Sequence, residues 1–194
     1  MNQMREYGFL LVLLITCGHA QESAKIASPS YPPSQGRVDG QVYRNDALGL
    51  TYRLPDGFEV QQNGAASLGS SSVMLVIADQ HTGRPLKNRI IIAATDARNY
   101  QWSTKQFAEH FVASLPDQAH VAITRGAGLE RIVGQDFYQI EFRKMESGQA
   151  LYQAFVCTRW KDAIVNWTFV SSSEQEMAQM TASIQSAHFL RNNQ

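Results

Sequence analysis

Two short apolar runs, Val73-Met74-Leu75-Val76-Ile77-Ala78 and Ile90-Ile91-Ile92-Ala93-Ala94, constrain the fold more than any other part of the sequence. Each has the length of a strand, and neither alternates with polar residues, so each reads as a strand buried on both faces. Such strands need cover above and below. The chain is therefore expected to build a central sheet with layers on both sides. With 194 residues, 44% hydrophobic and only 18% charged, it has the length for one domain and the material for a core.

Other segments alternate and reveal their sidedness. Leu50, Tyr52 and Leu54 share one face of a short strand that Pro55-Asp56-Gly57 ends with turn chemistry. Phe58 and Val60 resume the pattern briefly, and the segment 61–71 reads as a loop. His120 to Thr124 reads as a short strand, with Gly126-Ala127-Gly128 as the turn after it. Tyr138, Ile140 and Phe142 oppose Gln139, Glu141 and Arg143. Tyr152, Ala154, Val156 and Trp160 likewise oppose Leu151, Phe155 and Cys157. Lys161-Asp162 links that strand to Ile164–Val170 as a hairpin, giving an antiparallel meander.

Two helices are expected. Ser103 and Gln106 have capping-box spacing ahead of the stripe Phe107, Ala108, Phe111, Val112 and Leu115, and Pro116 ends the run. Ser173 and Glu176 repeat the box ahead of Met177, Met180, Ile184 and Ala187. Strands gathered before each helix, without strict alternation of strand and helix, indicate an α+β domain.

The first twenty residues form a unit of their own. Arg5 precedes an apolar run from Phe9 to Ile15, which is too short to span a hydrocarbon core of about 30 Å but suits the core of a signal peptide. Gly18 and Ala20 are the small residues of a cleavage site, so residues 1–20 read as a signal peptide cut between Ala20 and Gln21. A second reading exists, because Leu14-Ile15-Thr16-Cys17 resembles a bacterial lipobox that would lipidate Cys17, although Thr16 departs from the usual small residue. Either way the chain is expected to be exported, periplasmic or secreted. The membrane is met only through the signal peptide or a lipid anchor at Cys17. Residues 21–40, rich in Ser, Pro, Gln and Gly, read as a disordered tether, and the folded domain is expected over 41–194.

No chemistry-bearing pattern emerges. Lys+Arg and Asp+Glu both total 17, so no net field attracts nucleic acid. His81, His110, His120 and His188 fall in separate elements without the spacing of a metal pair. The Ser67 surroundings mimic a nucleophile elbow but lack the strand-to-helix turn that one requires. Asp46, Asp56, Asp79, Asp96 and Glu141 are spaced by whole elements, and Cys157 sits among apolar neighbours where a thiol is inert. Tyr100, Trp102, Trp160 and Trp167 divide between core and interface. Catalytic residues, metal ligands and cofactors are expected to be none.

Taken together, Tyr43…Gly49-Leu50-Thr51-Tyr52…Leu54-Pro55-Asp56-Gly57-Phe58, the first helix, the meander and the closing Ser183-Ile184…Phe189 resemble the PsbP/Mog1-like family over Val42 to Phe189. The resemblance implies an α-β-α sandwich with a central, mostly antiparallel sheet and helices on its faces. It also implies an accessory, partner-binding role, with no shared catalytic set to carry over. The expected function is a non-enzymatic exported domain that binds a protein partner at the cell envelope. A small-ligand binder with an aromatic cleft, or an enzyme with a dispersed site, are the alternatives.

Overall fold

A computed structural model of the chain describes residues 36–68, 71–80, 88–98, 100–115, 118–146 and 148–190. The expected lipidation and cleavage residues Cys17, Ala20 and Gln21, together with His81 and Pro116, lie outside the described residues. Among the described residues eleven strands and two α-helices follow in the order β1 Gly36–Asp39, β2 Val42–Asn45, β3 Leu50–Arg53, β4 Phe58–Leu68, β5 Ser71–Asp79 and β6 Arg89–Asp96. Then come α1 Thr104–Ala113, β7 Val121–Ile132, β8 Gln135–Glu146, β9 Gln149–Trp160, β10 Ala163–Ser171, α2 Glu174–Ala182 and β11 His188–Phe189. All strand pairings are antiparallel. The domain is α+β, as expected.

The strands form a seven-stranded sheet in the order β4-β5-β6-β10-β9-β8-β7 and a small sheet in the order β1-β2-β3-β11. The two apolar runs are β5 and β6, interior neighbours in the large sheet, which is why neither shows alternation. The most enclosed strand is β10, buried at every position. The meander β7 to β10 runs inward from the far edge, because the segment after β6 carries α1 across to β7 before the hairpins return.

Each face of the large sheet has its own cover. On one face Phe107, Ala108, Phe111 and Val112 of α1 pack on Ile140, Phe142, Phe155 and Cys157. Phe111 and Phe155 stack at 3.9 Å between centroids. The capping box starts α1 as its spacing predicts, with Gln106 N–H donating to Ser103 Oγ at 3.2 Å and Ser103 N–H to Gln106 Oε1 at 2.9 Å. On the opposite face Met177, Met180 and Ile184 join Tyr43, Leu50 and Tyr52 of the small sheet, and Leu54 just past it, over Val156, Val165, Trp167 and Phe169. Here Ser173 Oγ accepts from Glu176 N–H at 3.3 Å, while the Glu176 carboxylate accepts from Asn88 Nδ2 at 3.2 Å. After Ala182 the chain tightens into a 3-10 turn, Ser183–Ser186, and ends in β11.

Several expectations are corrected. The first strand lies at Gly36–Asp39, so the boundary at residue 40 falls late: residues 36–40 are strand and turn, not tether. The segment 61–68 is not a loop but the continuation of β4, an edge strand with register shifts. Edge strands with two wet sides need no apolar alternation, so polar Gln61, Gln62 and Asn63 hid it. Gly126-Ala127-Gly128 is no turn either, for β7 runs through it from Val121 to Ile132. Finally Gln139, placed on the polar side of its strand, is 4% exposed, with its amide donating to Glu141 at 2.6 Å.

Two positions test this packing. Gly49 has φ +65, and a Cβ there would stand 2.9 Å from the Leu190 carbonyl oxygen, so β11 can approach only a glycine. Gly49→Ala is expected to lower stability by about 1–3 kcal/mol in a urea titration. Tyr52 donates or accepts at 2.6 Å with Ser183 Oγ, and burial raises its phenol pKa while that hydrogen bond lowers it less. A raised folded pKa means the unfolded chain ionises first, so stability is full below about pH 10 and falls as pH rises beyond it. Tyr52→Phe should flatten that alkaline decline while lowering neutral stability by about 1 kcal/mol, read by denaturation at a series of pH values.

Candidate interaction surface

The site is built by two hairpins that finish side by side. Both use two-residue turns, Val133-Gly134 between β7 and β8 and Lys161-Asp162 between β9 and β10. Gln135 ties them together, its amide donating to Thr158 Oγ1 at 2.8 Å and to the Arg159 carbonyl at 3.1 Å. Alternation along β9 then sends Arg159 and Trp160 to opposite faces of the sheet end.

On the α1 side, the Arg159 guanidinium donates to the Ala97 carbonyl at 3.1 Å and the Trp102 carbonyl at 3.5 Å. That grip holds the approach to α1, where the half-buried rings of Tyr100 and Trp102 lie 5.4 Å apart. Trp102 also lies over the His110 imidazole at 4.3 Å. On the other side Trp160 Nε1 donates to the Leu48 carbonyl at 2.7 Å, and its ring rests on Phe189 at 4.9 Å. Leu190 N–H donates to the Gly49 carbonyl at 2.8 Å, which leaves the Leu190 side chain 63% exposed.

Val133 sets this surface apart. Its φ of 48 and the 78 of Gly134 make a type I′ turn, which favours Asn-Gly because both positions are left-handed. A β-branched residue there is strained by about 1–3 kcal/mol. The Val133 side chain is 70% exposed, so no packing within the chain offsets the strain. Trp102, Arg159, Trp160, Phe189, Leu190 and Val133 thus crowd one end of the sheet, and aromatic residues with arginine are what protein interfaces favour. Of these, the sequence had singled out the two tryptophans as core or interface and Phe189 only as the close of the family resemblance. The signal for Val133 was legible: Ile132-Val133-Gly134-Gln135 puts valine where the spacing calls for asparagine.

Of the described histidines, carboxylates and cysteine weighed for chemistry, His110 meets this surface through Trp102. Among the described residues no group of three His, Cys, Asp or Glu is placed to hold a metal. Trp167 is core at 0% exposure. Ser67 lies in β4 opposite Ser72 with a strand on either side, which leaves no strand-to-helix elbow. Asp46 pairs with Arg37 at 2.5 Å, and Glu141 with Arg125 at 3.2 Å. Asp96 is held below the ordinary carboxylate range chiefly by its hydrogen bonds with Arg98. His120 and His188 are exposed on separate elements. No described helix is long and apolar enough to cross a membrane.

No family model matches the chain, and no curated protein matches it. Solved structures do. Cyanobacterial PsbP (CyanoP) from Synechocystis sp. PCC 6803 superposes with a TM-score of 0.58 at 16% identity, covering 80% of this chain and 99% of that one. The fold is PsbP-like. A PsbP-like, α+β fold with antiparallel sheets is what the resemblance over Val42 to Phe189 implied. A Pseudomonas aeruginosa protein of unknown function, PA94, matches at TM-score 0.49 and 10% identity, over 74% of this chain and 92% of its own. LpqN of Mycobacterium tuberculosis, described as involved in cell envelope biogenesis, matches at TM-score 0.43 and 10% identity, over 71% of this chain and 78% of its own. At such identities the PsbP-like likeness concerns the backbone, and the hairpin end must be read from its own side chains.

Cys157 offers a direct check on the inert reading. It is fully buried, its Sγ donates to the Thr104 carbonyl at 3.6 Å, and burial raises its pKa. A thiol reagent added to the folded chain at neutral pH should leave Cys157 unmodified, and mass spectrometry should find it fully labelled once denaturant opens the domain.

Proposed function

We propose that the chain is an exported, non-enzymatic accessory domain that binds a protein partner at the cell envelope, and that the paired hairpin ends are its docking face. Strained, solvent-facing Val133 is the observation that carries this reading. The hairpin needs its left-handed turn but not a valine in it, and strained residues cluster at functional sites. The composition of the face agrees, since Trp102, Trp160 and Arg159 are the residue types that anchor partners. Its charged groups point the same way: Arg159 is committed to main-chain carbonyls and Arg131 to Asp136 at 2.7 Å, so they frame a surface instead of assembling acid–base chemistry. The leader read over residues 1–20, ending at Ala20 or turning on Cys17, supports delivery to the envelope. Helices on opposite faces of one sheet support the α-β-α sandwich that the resemblance implies.

Two substitutions separate docking from folding. Val133→Asn relieves the turn and should raise stability by about 0.5–1 kcal/mol in denaturant titration. Leu190→Glu alters an exposed side chain and should leave stability within about 0.5 kcal/mol. Both should reduce recovery of the partner when the full chain is used as bait on its native envelope fraction, with bound proteins compared by quantitative mass spectrometry. Equal recovery by the parent and both variants would sink the reading.

A further inference from the structure

The chain enters its fold beside the docking face. Gly36 is the register partner of Asn45, Asn45 of Leu50, and Leu50 of Phe189, so these four residues form one row across the small sheet. Three strand spacings of about 4.8 Å place Gly36 about 14 Å from Phe189. One position beyond that row lie Asp46, Gly49 and Leu190, where the Leu190 N–H meets the Gly49 carbonyl at 2.8 Å. Two contacts pin the point of entry. Arg37 pairs with Asp46, and the Tyr43 ring lies so near Gly36 that a Cβ there would collide with it. The residues before Gly36 therefore depart from the end that carries Trp160, Phe189 and Leu190, away from the Gly40-Gln41 turn.

Those preceding residues, 21–35, hold only two large apolar side chains, Ile26 and Tyr31. A spacer needs neither. Tyr31 is followed by Pro32-Pro33 and stands five residues before Gly36. Five extended residues reach about 17 Å, slightly more than the distance across the row to Phe189. Proline fixes φ near its polyproline value, so such a stretch loses little freedom on docking, and proline-rich segments bind surfaces lined by aromatic rings. Trp160 and Phe189, with rings 4.9 Å apart and Leu190 63% exposed beside them, make a surface of that kind.

We infer that Tyr31-Pro32-Pro33 docks on Trp160, Phe189 and Leu190 of the same chain and covers the hairpin face until a partner displaces it. The chain itself is the occupant because a link this short gives an effective concentration in the millimolar range, which holds a contact too weak to persist between separate molecules. A face covered nine-tenths of the time shows about a tenfold lower apparent affinity for its partner. The covering rests on the partner reading, whereas the docking does not.

The full chain carrying Tyr31→p-benzoylphenylalanine, irradiated at about 1 µM so that only attached groups meet, should cross-link within itself. Peptide mass spectrometry should place the new bond at Trp160, Phe189 or Leu190. Adding Leu190→Glu sets an unpaired charge under the tyrosine site and should cut that yield at least about fivefold. Bonds scattered over β1 and the 46–49 turn, or a yield that Leu190→Glu leaves unchanged, would overturn the docking. In the envelope pull-down, Tyr31→Ser should raise partner recovery about five- to tenfold, and recovery equal to that of a parent chain that binds would overturn the covering. Failure of both chains to recover a partner would count against the partner reading alone, since the cross-link map decides the docking without it.

Discussion

Everything in this fold leans on the indole of Trp167. It projects from the most enclosed strand, and its ring lies 6.1 Å from Tyr52, 5.9 Å from Phe137 and 6.4 Å from Phe189. Those three rings come from the small sheet's third strand, β8 of the large sheet and the small sheet's last strand, β11. One side chain thus joins elements that are otherwise linked through few main-chain hydrogen bonds. Dispersion and burial hold it there, because Trp167 Nε1 finds no hydrogen-bond partner among the described residues. The fold accepts that desolvation penalty for the sake of the contact surface.

The two faces of the large sheet are covered unequally. Facing Trp167 are a helix, a 3-10 turn and a second sheet. The opposite face carries α1 over β8 and β9, while Val73, Val76 and Ile91 form a separate small cluster over β5 and β6. On this side Gln153, Asn166 and Thr168 keep buried amide or hydroxyl atoms without hydrogen-bond partners among the described residues.

Sequence made visible those elements whose environment is two-valued. Tyr152, Ala154 and Val156 against Phe155 and Cys157 reported the true sidedness of β9, because each face meets a different apolar layer. Ser103 and Gln106 reported the start of α1 because a cap is a local affair. What stayed hidden were strands with water on one or both sides, such as β1 within a polar segment and β4 through Gln61 to Asn63, where pairing comes from main-chain groups that every residue carries. The glycines of β7 misled for a related reason: glycine reads as a turn when its neighbours give no contrary signal. The candidate interface was half legible. Trp102 and Trp160 stood out by type, whereas Leu190 and Phe189 acquire meaning only when β11 folds back on Gly49.

That return of the chain governs the order in which the domain can form. The small sheet takes its last strand from residues 188–189 and its others from residues 36–53, and Tyr52 meets Ser183 across 131 positions of sequence. Closing so long a loop is costly, so the contact must wait until most of the large sheet already stands. During synthesis the hairpin of β1 and β2 emerges first and finds its final neighbour last. Until Phe189 arrives, the aromatic side of the large sheet stays open to water, so the domain is sealed only by the last element of its small sheet.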